Sequence, residues 1–543
     1  VHELLQIENW FEPQWFKKHR RQLEGTSTVF HVPTREVKGR SIELVVKNCR
    51  VGEDVPLDTH TVERALGAEF NSPWEEFSLV MEMREGAFGP RSYAVATQRP
   101  LAIYVPPECM QLWQTGRSRA KINSILARHP GIDLDILRQY KLVYQWIPGK
   151  NVVELLKRSG ILGASCEKIS LNANDWVTRD LASKGYWVAD MKPQHIIISD
   201  ADLPPSFGEG APMDEATAER RVIALLTARR YSIIDYELLV RTEEHEQQVR
   251  TSRRRNYLDE LAHCQAPSEL PPNLSSMVLL GTRYVTGTVE STGGQLWVIG
   301  QNPRLFDYFL PERWRKTALW RLAQETEISY TVTKDGLNLL WTPSRVGESV
   351  TAAREDRETR YLSPFEVFTV LRELIDAKVP VVAPRAIYRT GTAKSETSFD
   401  LRSYDLLKEL RHADGTPVLR EDRNYLMIFG IYSWVDDDVP PNEDYLPRPV
   451  GLANALSFGF VSELEALSSV YHLQEQVRRA GFDASVLTAD DLLVTLDDRD
   501  RVIMAEPGRP YAKLHNVERL VRRPWSRAPS EPSPDPPSAV RRP

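Results

Sequence analysis

VADMKPQHIIIS (188–199), followed after an acidic insertion by YSIIDYELL (231–239), is the stretch on which the first half of the chain turns. Asp190 is followed by Lys192 and Pro193, and the polar His195 leads straight into an apolar run. A second apolar run ends at Asp235. Upstream, YKLVYQWIPGKNVVELL (140–156) reads as an apolar strand, a Pro-Gly break and a helix. Further back, ELVVKN (43–48) is a short strand that closes on Lys47. PWEEFSLVMEM (73–83) follows Ser72, so a serine caps and a proline takes the first helical position. On that helix Leu79, Val80 and Met83 stand at +3, +4 and +7 from Glu76, which puts Glu76 on the core side, with Glu75 the second candidate for the same role.

The Asp-x-Lys-Pro-x-polar pattern, with a later Ile-Ile-Asp-Tyr-Glu, resembles the catalytic loop and the Asp-Phe-Gly turn of protein kinases. The resemblance implies a bilobal ATP-binding domain. Asp190 would orient the acceptor hydroxyl and take its proton, Lys192 would neutralise the transferred phosphate, and Asp235 would hold magnesium. Lys47 would contact the α- and β-phosphates and pair with Glu76. Tyr144 would be the gatekeeper, and the backbones of Gln145 and Ile147 would face the adenine. Phosphoryl transfer asks a protein mainly to position groups and neutralise charge, which is why a fixed cation, metal-binding carboxylates and an aligned base recur together. A buried lysine is costly unless paired, so a helix glutamate must face it.

Three features depart from the family. His195 stands where the family has an asparagine that binds magnesium, and imidazole suits manganese, zinc or iron better than magnesium. His195 is therefore a metal ligand with Asp235, a cation toward phosphate, or a brace for its loop. No Gly-rich loop precedes Lys47; EGTSTVFHV (24–32) has one glycine and several hydroxyls. After Asp235 there is no Ala-Pro-Glu segment, only one charged helix in ELLVRTEEHEQQVRTSRRRNYLDEL (237–261). A peptide-presenting platform is missing or replaced, which leaves the acceptor, protein or small molecule, open.

The chain also repeats itself. IELVVKNCRVGED (42–54) matches LNLLWTPSRVGES (337–349), and NSPWEEFSLVMEM (71–83) matches LSPFEVFTVLREL (362–374). YKLVYQWIPGKN (140–151) pairs with IFGIYSWVDDDV (428–439), and GYWVADMKPQHIIIS (185–199) with GFDASVLTADDLLVT (481–495). The matches keep one order and nearly constant spacing, too long a period for a solenoid. In this register Thr342 replaces Lys47, Val367 replaces Glu76, Val486 replaces Asp190, Thr488 replaces Lys192 and Asp491 replaces His195. Glu506 falls opposite Asp235. The counterparts of the cation Lys47, its partner Glu76 and the carboxylate Asp190 are lost together in the second copy.

The expected fold class is α+β: two tandem protein-kinase-like bilobal domains, each with an antiparallel N-lobe sheet plus helix and a reduced helical C-lobe. Residues 1–263 form the kinase-like domain, 264–300 a Pro/Ser-rich linker and a β-hairpin turning at Thr-Gly-Gly, and 301–522 the degenerate pseudokinase-like domain. The tail 523–543, rich in Pro, Ser and Arg, reads as disordered, and 200–229 as an inserted loop with one short helix. A length of 543 residues suits two domains, and a net charge of −6 gives no reason to expect nucleic acid or an anionic membrane as partner. No run approaches the ~20 apolar residues that span a bilayer. VHELLQIENW lacks a secretory pattern, and the 4 scattered cysteines form no metal or disulfide framework, which reads as a cytoplasmic protein.

The function expected is ATP-dependent phosphotransfer with Mg2+ or Mn2+ in the first domain and a regulatory or docking role for the second. The partners are ATP and an unknown protein or small-molecule acceptor. The alternative is a non-catalytic nucleotide-binding scaffold, and a third reading is nucleotidyl transfer with ATP reversed in the same cleft.

Overall fold

The computed structural model describes the chain except residues 24–27, 51–52, 54, 56–68, 91–92, 109, 112, 114–117, 119, 121–137, 204–212, 263–269, 316, 324–326, 346–360, 394–409, 413–414, 416, 421–422, 432–447, 498 and 524–543. It is a mixed α/β protein built on several antiparallel sheets. The RVGE match, residues 24–27 of EGTSTVFHV, Cys109, Cys264, part of the linker and the tail beyond Arg523 lie wholly or partly outside the described residues.

Helix α1 (Pro13–His19) precedes a five-stranded sheet of β1 (Arg21–Gln22), β2 (Val29–Pro33), β3 (Glu43–Asn48), β4 (Pro100–Tyr104) and β5 (Lys141–Gln145), ordered β1-β2-β3-β5-β4. Side chains alternate across a strand, so β3 divides its residues between two environments. Leu44 and Val46 join Trp10, Phe16, Val32 and Val143 on one face. Val45 faces the other way, toward Val80 and Met83 of α2 (Pro73–Glu85), and Lys47 shares that face. The start of α2 is fixed by its sequence: Ser72 Oγ accepts from the Glu75 N–H, and the Glu75 carboxylate accepts from the Ser72 N–H. Gly86 closes the helix with φ 61°.

Below this sheet, β6 (Gly149–Asn151) leads into α3 (Val152–Arg158) and the long α4 (Gly163–Ser183). Next come β7 (Tyr186–Val188), β8 (Ile196–Ser199), α5 (Glu215–Thr227), β9 (Ser232–Ile233), β10 (Leu239–Arg241) and α6 (Glu243–Ala262). The strands form a β6-β8-β9 sheet and a β7–β10 pair. Leu155, Ile169, Ala173, Val222 and Leu226 bury α3, α4 and α5 against them. The short helix expected in the insertion is α5, capped by Asp214.

The second half opens with β11 (Leu274–Leu279), β12 (Thr282–Val289) and β13 (Gly294–Ile299). The β12–β13 hairpin turns at Gly293, whose φ is 68°. It is not a separate linker feature: β13 pairs with β17 and carries the hairpin into an eight-stranded sheet. That sheet adds β14 (Leu319–Arg321), β15 (Ser329–Val332), β16 (Asn338–Pro343), β17 (Ala383–Ala393) and β18 (Arg423–Gly430), in the order β11-β12-β13-β17-β18-β16-β15-β14. Helix α7 (Pro364–Asp376) covers one face through Phe365, Phe368, Leu371 and Leu374. The other face is covered by Phe306 and Phe309 together with Tyr257 of α6. The chain then runs through β19 (Arg448–Gly451), α8 (Leu452–Ser457), α9 (Glu463–Arg479), β20 (Phe482–Asp483), β21 (Leu492–Leu496), a β22–β23 hairpin (Met504–Glu506, Arg509–Pro510), β24 (Lys513–Leu514) and β25 (Val521–Arg522).

Individual contacts recur between the halves. The Ile234 N–H donates to the His195 carbonyl at 2.9 Å, and His515 donates to Asp491 at 3.0 Å. Asn71 donates to Glu237 at 2.9 Å and Leu362 to Glu518 at 2.8 Å; Thr242 donates to Gly185 and Arg523 to Gly481. Ser363 and Glu366 repeat the capping box of α2 on α7. The β6-β8-β9 order reappears as β19-β21-β24. These contacts correct two alignments. Asn516 stands opposite Asp235; Glu506 sits instead in the exposed β22–β23 hairpin, inserted between β21 and β24 where the first half inserts α5. Lys47 faces Leu142 and Thr342 faces Met427, which sets Phe429 opposite Tyr144, three residues from the sequence match.

Among the described residues, no helix is long and apolar enough to cross a membrane.

Candidate functional site

Lys47 reaches the α2 side of β3 at only 4% exposure, where an unpaired ammonium would be very costly. Its Nζ lies 2.6 Å from Asp235 Oδ1, 3.5 Å from Glu76 Oε1 and 3.7 Å from Glu237 Oε1. Burial alone would lower its pKa, but Asp235, Glu76 and Glu237 outweigh it and hold the amine charged well above the ordinary lysine range. Glu76, not Glu75, faces the lysine, as its position relative to Leu79, Val80 and Met83 requires. Tyr144 is also buried, and its hydroxyl donates to Glu76 Oε1 at 2.6 Å. Burial raises the Glu76 pKa even so, because Lys47 and Tyr144 only partly offset the loss of water.

Asp235 has φ 67°, a left-handed conformation unusual for a residue with a side chain. Such backbone persists where surrounding contacts over-determine it, and it concentrates at functional sites. Here Tyr236 is buried behind it, its hydroxyl donating to the Ile233 carbonyl and accepting from the Gln98 N–H at 2.8 Å. Asn71 adds hydrogen bonds to the carbonyls of Tyr236 and Leu239. Burial pushes Asp235 upward, but Lys47 and His195 prevail and hold it at about 2.

His195 Nε2 is 3.7 Å from Asp235 Oδ2, while its Nδ1 is buried without a partner. Burial lowers the His195 pKa. Asp190 is half-buried, with Oδ1 also lacking a partner; burial, then the Asp235 charge, raises its pKa. Lys192 is exposed beside it. Lys47, Glu76, Tyr144, Asp190, His195 and Asp235 are thus gathered into one cluster, with Lys192 at its edge. Gln145 and Ile147 lie on the segment leaving β5. The Gln145 N–H donates to the Arg99 carbonyl and the Trp146 N–H to Glu43, whereas the Ile147 N–H takes no backbone acceptor among the described residues.

Two participants escaped the sequence reading. Glu237 is 3% exposed, carries an unpartnered Oε2 and has its pKa pushed up to about 8 by burial, with Asp235 and Glu76 adding to the effect of burial. Arg50 Nη1 approaches it to 3.8 Å. The signal was present: an acid follows Asp-Tyr where the resembling motif has glycine. At its other end α2 is pinned by Glu82, which accepts from Arg241 at 2.6 and 2.8 Å and from the Tyr186 hydroxyl at 3.0 Å.

Among the described residues no three His, Cys, Asp or Glu side chains converge as a self-sufficient metal site. A cation here would need oxygen ligands from a bound phosphate, the usual situation for magnesium with nucleotides.

In the second half apolar packing replaces Glu76 and Tyr144. Val367 and Phe429 stand opposite Glu76 and Tyr144, both in the apolar core, and Thr342 stands opposite Lys47. Asp491, opposite His195, is 1% exposed and bonded to Thr488, Asn516 and Arg519.

No protein-family model matches the sequence. No curated protein matches it either. Among solved structures, one described as WaaP in complex with acyl carrier protein aligns over 43% of this chain and 68% of that chain, at 12% identity and a TM-score of 0.19. A likeness that loose carries no argument about fold or chemistry.

Proposed function

We propose that residues 1–263 form a protein-kinase-like, ATP-dependent phosphotransferase domain, and that residues 301–522 are a degenerate copy with a regulatory or docking role. The observation that carries this reading is the meeting of Lys47 with Asp235, 188 positions apart in sequence, at 2.6 Å on a left-handed aspartate. The recurring inter-strand contacts of the two halves support the duplication, and uncharged residues at the counterparts of Lys47, Glu76, Asp190 and Asp235 support the inactivity of the second copy.

The residues fit a nucleotide and its metal. Asp190 Oδ1 and His195 Nδ1 are buried polar atoms with no partner, beside a lysine held fully charged. Asp235 and His195 would hold a divalent cation, magnesium or manganese, that supplies charge neutralisation to the phosphates. Asp190, with its raised pKa, would accept the proton of the acceptor hydroxyl. Lys192, exposed at the mouth, would meet the transferred phosphate, and Lys47 would hold the remaining phosphates. The backbones of Gln145 and Ile147 would border the base.

A second reading is a non-catalytic nucleotide-binding scaffold. It is favoured by Glu237, which brings a third acid to Lys47 where a triphosphate would bind. Incubation with γ-labelled ATP and each metal separates the two. Label transfer that Asp190→Ala abolishes, with nucleotide binding kept, supports phosphotransfer; undiminished turnover in that variant removes the assignment. A thermal shift with ATP that Lys47→Ala eliminates, without any transfer, supports the scaffold.

A further inference from the structure

Glu75 and Glu76 are neighbours on α2, about 100° apart around the helix, so they address different surroundings. Glu76 points at Lys47. Glu75 points into the second half, where its Oε2 receives Arg315 Nη1 at 2.5 Å and its Oε1 receives Lys334 Nζ at 2.6 Å. We propose that Glu75 is a positioning residue, and that Arg315 and Lys334 are a latch by which the second half sets the place of α2 and hence the pairing of Lys47 with Glu76. The inference deepens the phosphotransfer reading and rests on it for the roles of Lys47 and Glu76.

The latch is rigidly mounted. Arg315 is 2% exposed and its second nitrogen lies 3.6 Å from Glu69. Lys334 sits on the turn between β15 and β16, its N–H bonded to the Arg313 carbonyl at 2.8 Å. The next residue, Asp335, is fully buried and paired with Arg253 of α6 and with Arg313. Arg254 of α6 donates to the Gly336 carbonyl at 2.8 Å. The first half therefore grips, through α6, the turn that grips its own α2.

Packing through Val80 and Met83 holds only the inner face of this helix, and charge holds the rest. The buried residues of α2 include Glu76 and Glu82, whereas α7 buries Phe365, Val367, Phe368, Leu371 and Leu374. The side of α2 that carries Trp74, Glu75 and Ser78 borders a cavity of about 1180 Å³ between the halves, which Lys334 also lines. A helix backed by open space can shift, and the ion pairs of Glu75 oppose that shift.

The test works from the second half, because Glu75 also closes the capping box of α2. Amide hydrogen exchange over residues 73–85 is compared in the wild-type chain, Arg315→Gln, Lys334→Gln and Lys334→Arg, together with acylation of Lys47 by an amine-reactive probe. Both glutamine variants should speed exchange in α2 by about tenfold and expose Lys47 to acylation, while Lys334→Arg restores the wild-type pattern. Lys334 is the more exposed of the pair, so its variant keeps the fold if Arg315→Gln does not. Unchanged exchange in α2 and unchanged acylation of Lys47 in Lys334→Gln would overturn the latch. Both readouts are taken without nucleotide, so they decide the latch even if ATP proves not to bind, an outcome that would remove the phosphotransfer reading alone.

Discussion

Tyr144 and Glu76 share a hydrogen bond of 2.6 Å, so the strand residue at the back of the cleft and the helix acid that holds Lys47 act as one unit. Tyr144→Phe should leave Glu76 with one partner fewer in a buried site, at a cost of about 1–3 kcal/mol. Urea denaturation measures the loss. No change in midpoint would mean that Glu76 does not depend on the tyrosine.

Lys47→Met tests the cluster more severely. Without the ammonium, Asp235 and Glu76 remain as buried acids with too little counter-charge, and the expected loss is about 3–5 kcal/mol. Asp235, now held at about 2, should titrate at higher pH in the variant. Mild acidification should therefore narrow the stability gap between variant and wild type, which denaturation curves at two pH values would reveal.

Glu82 provides a pH dependence away from the Lys47 cluster. Burial would raise its pKa, but Arg241, His245 and Tyr186 lower it from 4.5 to about 2. A depressed carboxylate contributes stability above its unfolded pKa and loses it as pH falls through the folded value. The window is thus between about pH 4.5 and 2, with a total on the order of 3 kcal/mol. Glu82→Gln should flatten the stability profile in that window and lower stability at neutral pH.

In the second half, Asp491→Ala should cost about 2 kcal/mol or more, because it strands Arg519 and Asn516 beside a buried gap. It should leave any ATP-induced thermal shift of the chain intact. Loss of that shift would place nucleotide binding in the wrong half.

The first half was legible because its key residues lie on short strands and a capped helix whose periodicity dictates which way each side chain points. Leu44 to Lys47 alternate between two faces, and Glu76 follows from Leu79, Val80 and Met83. Glu237 was missed because a motif read by its aspartate draws attention from the position two residues on. Glu506 was misplaced for a different reason. The segments between β8 and β9 and between β21 and β24 hold unlike insertions, a helix in one and a hairpin in the other, and linear alignment cannot cross such a gap. The strand pairing of Leu492 with Leu514, like that of Ile196 with Ile233, places Asn516 opposite Asp235. The latch was invisible because Glu75, Arg315 and Lys334 are ordinary surface residue types until two parts of the chain meet.

Helix α6 follows the strands of the first half, yet its Tyr257 is sealed against Tyr308 and Phe309 beneath the eight-stranded sheet. A cut near residue 263 would leave one fragment with a greasy ridge in water and the other with a stripped sheet. Neither piece inherits a complete surface of its own. Recombination at that boundary would be penalised, because each half lends the other part of its interior.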